Sequence, residues 1–152
     1  MSLSNDPVTL DASRPSRRLM GLVAVAGASA VAIGAFGAHG LSSFLSGSAM
    51  EPDLMARRLA QFETGARYHL VHAVVLLALT ALPVVHGRLF QVVVWLVSLG
   101  ILLFSGSLYI LVLTNTPLWG AVTPLGGLSW IIAWCLMAFL ARRRKDATPP
   151  VP

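Results

Sequence analysis

The chain is short of charge. Charged residues make up 11% of its 152 residues, and Asp and Glu together number only 6. Soluble domains carry about 25% charged residues, so composition excludes an ordinary soluble domain. Cysteine is nearly absent as well. Cys135 stands alone, which excludes an intrachain disulfide and gives that thiol a buried packing role as its default. No Gly-x-Ser-x-Gly motif surrounds Ser105 or Ser107 and no base lies near them in the sequence, so the signature of a serine nucleophile is missing. Rings of charge and filter motifs, which would mark a permeation pathway, are also lacking. No internal repeat of the transporter kind is detectable.

What is present is apolar: 56% of the residues. They gather in four stretches, Leu19–Ala38, Tyr68–Val85, Leu89–Leu113 and Val122–Leu140. Each is close to the about 20 residues that cross a hydrocarbon core about 30 Å thick. None contains an acid or a lysine. In lipid the backbone must satisfy its own hydrogen bonds, so the stretches are read as helices. The expected fold is all-α, a membrane-embedded four-helix bundle with short loops and helices near 19–38, 66–85, 89–113 and 122–141. Residues 1–18 and 142–152 are expected to be polar tails, the first disordered and the second basic and then Pro-rich.

The net charge of +5 comes from arginine clusters that abut the spans: Arg14, Arg17 and Arg18 before the first, Arg142, Arg143, Arg144 and Lys145 after the fourth. Placed there they mark the cytoplasmic side rather than a nucleic-acid surface. Arg88, in the loop after the second span, falls on the same side. Arg57, Arg58 and Arg67 lie on the other, offset by Glu51, Asp53 and Glu63. Both termini are therefore expected in the cytoplasm. The first span has an apolar core of about 20 residues against the roughly 7–15 of a secretory signal, so it is read as retained.

Between the first two spans, Ser42–Ser48 reads as a loop. Pro52 and the acids Glu51 and Asp53 then suit a helix start. Met55, Leu59, Phe62 and Ala66 recur every three to four residues, which predicts a short amphipathic helix that runs or bends into the second span near Gly65. Glu63 and Arg67 stand four apart in the favourable order. His86-Gly87-Arg88 forces a hairpin between the second and third spans. Thr114–Gly120 reads as a turn, and Thr123-Pro124 as the cap and first turn of the fourth helix.

Polar groups concentrate at one end of the predicted bundle. His72 lies 13 residues before Val85, about 20 Å from the cytoplasmic end at about 1.5 Å per residue. His69 is one turn higher on a stripe of Gly65, His69, His72, Leu76 and Leu79. His39, Arg67, Tyr109, Ser105, Ser107 and Thr123 reach the same outer half. Intramembrane ionisable groups usually face the protein interior. A metal site or a proton-linked site is conceivable from His39, His69 and His72; hydrogen bonds to neighbouring helices are the plainer reading, because no intramembrane carboxylate stands by to orient a metal ligand. No metal and no cofactor is expected. Gly27, Gly34, Gly37, Gly100, Gly106, Gly126 and Gly127 are expected where helices pack closely.

Four ordered segments carry a resemblance: Gly34-Ala35-Phe36-Gly37-Ala38-His39; Thr64-Gly65 with Tyr68 and His72-Ala73; Phe104-Ser105-Gly106-Ser107-Leu108-Tyr109; and Thr123-Pro124-Leu125-Gly126-Gly127. Together they resemble the YgdD-like family of small bacterial multi-pass inner-membrane proteins, over roughly residues 19–141. The resemblance implies a four-helix inner-membrane protein with its first helix uncleaved, and no particular activity. The family pattern has glutamine where this chain has His69, which weighs against a metal site needing both His69 and His72. The expected function is that of a non-enzymatic accessory or scaffold membrane protein. The alternative is a small-solute or proton-linked transporter subunit using the polar cluster, and an intramembrane metal-dependent enzyme ranks behind both. The expected partners are the lipid bilayer and a second copy or another membrane protein, with no nucleic acid.

Overall fold

A computed structural model describes residues 16–48, 50–81 and 87–146, with side chains as far as Leu140. Every element among the described residues is helical. Three helical segments, Arg17–His39, Arg88–Thr114 and Pro117–Leu140, are long and apolar enough to cross a membrane. Residues 1–15 of the tail predicted over 1–18, the second-span end with His86 and the Pro-rich end 147–152 lie outside the described residues.

Helix α1 is Arg17–His39. Ser16 caps it, its Oγ accepting from the Leu19 amide at 3.2 Å, which satisfies one of the free amides of a helix start. It ends at Gly40, whose amide closes on Phe36 O. A short helix α2, Leu41–Ser46, follows at once, where the serine-rich sequence predicts a loop. Leu41 and Leu45 stand one turn apart and are both buried, against Phe62, Leu111 and Val112. Their burial outweighs the preference of serine for irregular backbone.

Helix α3 is a single rod, Pro52–Ala81. The segment expected to run or bend into the second span near Gly65 runs into it without a break. Arg58, Phe62, Gly65, His69, His72, Leu76 and Leu79 are buried in alternating steps of four and three that keep one face on a neighbour, and Ala73 is buried beside them. Gly65 is straight helix because it is a contact: a Cβ there would stand 3.0 Å from the Tyr109 ring and 3.3 Å from Leu108.

Helix α4, Arg88–Gly100, continues through a wide turn at Ile101–Ser105 into α5, Gly106–Thr114. In that turn the Gly106 amide reaches back five residues to Ile101 O, the signature of a π-bulge. Asn115 ends α5 in the left-handed region at φ 50°, a conformation that asparagine tolerates better than branched residues. A 3₁₀ turn, Pro117–Ala121, leads to α6, Thr123–Asp146, so the helix extends through the first part of the expected basic tail.

The long helices are arranged in series: α1 packs on α3, α3 on α4 and α5, and α4 with its π turn on α6. One core, centred on Leu76, Val93, Val97 and Ala133, joins α1, α3, α4 and α6. A second, around Leu41, Phe62 and Leu111, closes the other end. Cys135 is exposed on α6 rather than packed inside, because Ala133 and Trp130 take the inward positions of that helix.

Candidate functional site

The π turn and α6 build the tightest part of the molecule. Gly126 faces the backbone of Phe104 so closely that a Cβ would collide with its amide nitrogen, and Gly100 lies under the Trp130 indole. Ser129 Oγ donates to Leu96 O at 2.8 Å, and Trp130 Nε1 donates to Val97 O at 3.1 Å. These two carbonyls lie in the turn before the π-bulge; Val97 O also accepts from the Ile101 amide, so the indole is a second donor to it and ties α6 to α4 there.

The Trp130 ring carries His72 on its face, with centroids 3.6 Å apart and planes 4° from parallel. Tyr68 and Phe104 complete the aromatic group. His72 Nδ1 lies 2.8 Å from Tyr68 O. A carbonyl can only accept, so Nδ1 carries the proton and Nε2 of the neutral ring presents a lone pair. That Nε2 is buried without a hydrogen-bond partner, as is Ser105 Oγ. The Tyr109 hydroxyl neighbours Ser105, at a geometry outside a normal hydrogen bond.

His69 links three helices. Its Nε2 lies 3.4 Å from Ser29 Oγ on α1, and its Nδ1 lies 3.3 Å from the Tyr109 hydroxyl on α5. Ser107 and Thr123 join α5 to α6 through a 2.8 Å hydroxyl–hydroxyl bond. Thr123 is thereby engaged with α5 rather than with an amide of its own helix.

Of the residues predicted as one polar cluster, His69, Tyr109 and Ser105 are neighbours, His72 is stacked on Trp130 of α6, and Ser107 and Thr123 form a separate pair. His39 and Arg67 do not join them. His39 is exposed in the last turn of α1, ten residues beyond Ser29 and so about 15 Å from the level of His69. Arg67 points away from the core and pairs with Glu63 at 2.6 Å. Among the described residues no three of His, Cys, Asp or Glu are grouped to hold a metal ion. Of the expected packing glycines, Gly37 lies under the Phe62 ring, Gly127 is in ordinary contact with Phe104, and Gly27, Gly34 and Gly106 face open space. Helix α1 packs chiefly on α3, so a Cβ at Gly27 or Gly34 would meet no other described residue.

One polar site is not visible from sequence reasoning. Arg58 is only 5% exposed. Its Nε and Nη2 both donate to Asn115 Oδ1, at 2.9 and 2.7 Å, and its Nη1 donates to Gln61 at 2.9 Å. A guanidinium thus clamps the left-handed residue that ends α5 to the first half of α3. The signal for it was the step of four from Arg58 to Phe62, which places the arginine on the buried stripe.

A family model described as "Protein of unknown function (DUF423)" matches residues 33–127. The UPF0382 membrane protein YwdK of Bacillus subtilis is 41% identical over 114 residues, covering 74% of this chain and 85% of the relative. The UPF0382 inner membrane protein YgdD of Escherichia coli K12 is 37% identical over 136 residues, covering 86% of this chain and 93% of the relative. A UPF0382 membrane protein of Haemophilus influenzae is 38% identical over 130 residues, 82% of this chain and 94% of the relative. No solved structure matches. With its membrane-length apolar helices and this coverage, the chain is a membrane protein that belongs to the DUF423 family.

Proposed function

We propose that the protein is a non-enzymatic accessory or scaffold subunit of the bacterial inner membrane, with α3 as a fourth span and both termini in the cytoplasm. The observation that carries this reading is the use made of the interior polar groups. Arg58, His69, Tyr109, Ser107, Thr123, Ser129 and Trp130 all bond across helices. Their chemistry fixes helix against helix, as polar residues do in lipid. The surface, by contrast, carries broad apolar faces. Val25, Val31, Val71 and Val74 are exposed on α1 and α3, and Trp95, Leu102 and Trp134 on the other helices. The arginine asymmetry of the loops supports the orientation. Crosslinking with mass spectrometry on native membranes tests the role: a stable contact with another membrane protein is expected, and flux of a solute through liposomes holding the purified protein alone would overturn it.

A second reading, a proton-linked transporter subunit, draws on the Ser29–His69–Tyr109 connection and the unpartnered His72 Nε2. It predicts proton flux in such liposomes that His72→Ala abolishes. Flux unaffected by His72→Ala removes this reading.

A further inference from the structure

A groove of about 520 Å³ runs between α1 and α3 on the side away from α5. Gly34 and Ala38 of α1 and Ala66 and Leu70 of α3 form its walls, and Glu63 and Arg67 stand on its rim. The depth of that pair is fixed by contacts on either side of it. Phe62 lies against Gly37, and His69 bonds to Ser29. Glu63 and Arg67 fall between these levels, about 3–15 Å below the end of α1. They are therefore beside an apolar helix, within reach of a hydrocarbon core about 30 Å thick. Yet their side chains are 71% and 68% exposed. Ionisable groups at such depth normally face protein or a water-filled cavity. Beside them Gly34 has nothing within 4 Å of the place its Cβ would take, so none of the described residues accounts for a small residue there.

We infer that this groove is the contact between two copies of the chain. The face is self-complementary: one acid and one base, one turn apart. A two-fold axis along the membrane normal brings the same face of both copies together. Arg67 of each then stands about 6 Å along the axis from Glu63 of the other, a distance that the arginine side chain spans. Arg67 engages its own Glu63 through one nitrogen, Nη2, and a guanidinium has five N–H donors. The remaining donors can bridge to the second carboxylate. The four charges then neutralise one another out of lipid, and the small residues Gly34 and Ala38 let the helices approach closely. A different protein in the groove would have to bring its own acid and base at matching depths; a second copy has them.

This inference specifies one partner for the scaffold reading and rests on it. The test co-expresses two differently tagged full-length chains, Glu63→Arg and Arg67→Glu. Each repels itself, and the two attract each other. Two-tag purification in lipid nanodiscs is expected to give heterodimers several-fold above the statistical share, whereas a purely intrachain ion pair predicts a statistical mixture or monomers and overturns the inference. In the wild-type background with Cys135→Ser, Gly34→Cys is expected to give a disulfide-linked dimer in oxidised native membranes, and Trp95→Cys on the far side is not. Crosslinking at both positions alike, or at neither, also overturns it. Monomers that still capture another membrane protein refute the dimer and leave the scaffold reading standing; dimers that conduct solute refute the scaffold and leave the dimer.

Discussion

Between α4 and α6, Gly126 lies on the backbone of Phe104, Gly100 lies under Trp130, and two side-chain donors close on carbonyls at about 3 Å. Between α1 and α3, Gly34 faces open space and an exposed ion pair borders a groove; the Ser29–His69 bond that joins the two helices is 3.4 Å long. With α3 as the proposed fourth span, both are pairs of helices in a medium where apolar contact by itself brings little association, so packing and interhelical bonds decide how firmly they hold. In the first pair small residues are filled by the partner helix. In the second, Phe62 fills the space at Gly37 but Gly34 is left open. The same residue type therefore means internal packing at Gly126 and an available surface at Gly34.

The sharpest way to break that contrast is the same substitution in both pairs. Gly126→Leu drives a side chain into the backbone of Phe104, which cannot move aside as a flexible side chain can. The expected loss is about 3 kcal/mol or more, at the upper end of overpacking costs, read as a collapse of monodisperse protein and of the thermal midpoint in detergent. Gly34→Leu meets nothing within the chain and is expected to leave the midpoint of the detergent-solubilised monomer unchanged. Equal damage at the two positions would end the distinction between them.

The Arg58 clamp ranks next. Arg58→Met keeps much of the volume and removes the paired donors to Asn115. A hydrogen bond to a charged group contributes about 1.5–3 kcal/mol, and a fall in stability of that order is expected. Arg58→Lys should not restore it, because an ammonium lacks the planar fork of a guanidinium. Asn115→Gly keeps the backbone at φ 50° and loses only the acceptor, so it should cost less than Asn115→Ala, which adds left-handed strain of about 1–2 kcal/mol.

Arg58 also shows where a sequence stops being legible. The apolar stretches gave the long helices, and the period of the second one gave Gly65, His69, His72, Leu76 and Leu79 as a single face, because lipid and helix geometry leave few alternatives. Arginine in this composition reads first as a marker of membrane side, and that reading hid the member of the same face one turn before Phe62. The π turn had no signal at all: Ile101–Ser105 is as good an α-helix sequence as its neighbours, and the widening becomes visible only with Gly126 pressed on Phe104. His39 was grouped with the other histidines by membrane side alone. Sharing a side fixes depth only to within a few turns, and about 15 Å of helix separates it from His69.

Trp130→Phe separates shape from hydrogen bonding in the tight pair. The ring still fills the hollow at Gly100 and still stacks on His72, but Val97 O loses its indole donor. Interhelical hydrogen bonds in membranes average about 0.6 kcal/mol and reach about 1.7. A loss in that range is expected, smaller than that of Gly126→Leu, because close packing and not the bond dominates this contact. A loss as large as that of Gly126→Leu would reverse the order.

His69→Gln is expected to have the smallest effect. The imidazole bridges Ser29 and Tyr109 at 3.4 and 3.3 Å, both longer than the about 2.7–3.2 Å of a good hydrogen bond. A glutamine amide offers an acceptor and donors at a similar reach and can serve both hydroxyls. The thermal midpoint should correspond to a change within about 0.5 kcal/mol, below the mean for an interhelical bond. His69→Leu should cost more, since it leaves the Tyr109 hydroxyl with only the poorly placed Ser105 beside it. If glutamine and leucine prove equally harmful, the ring itself is required at this position, and α1 is held to α3 by something more specific than a pair of long hydrogen bonds.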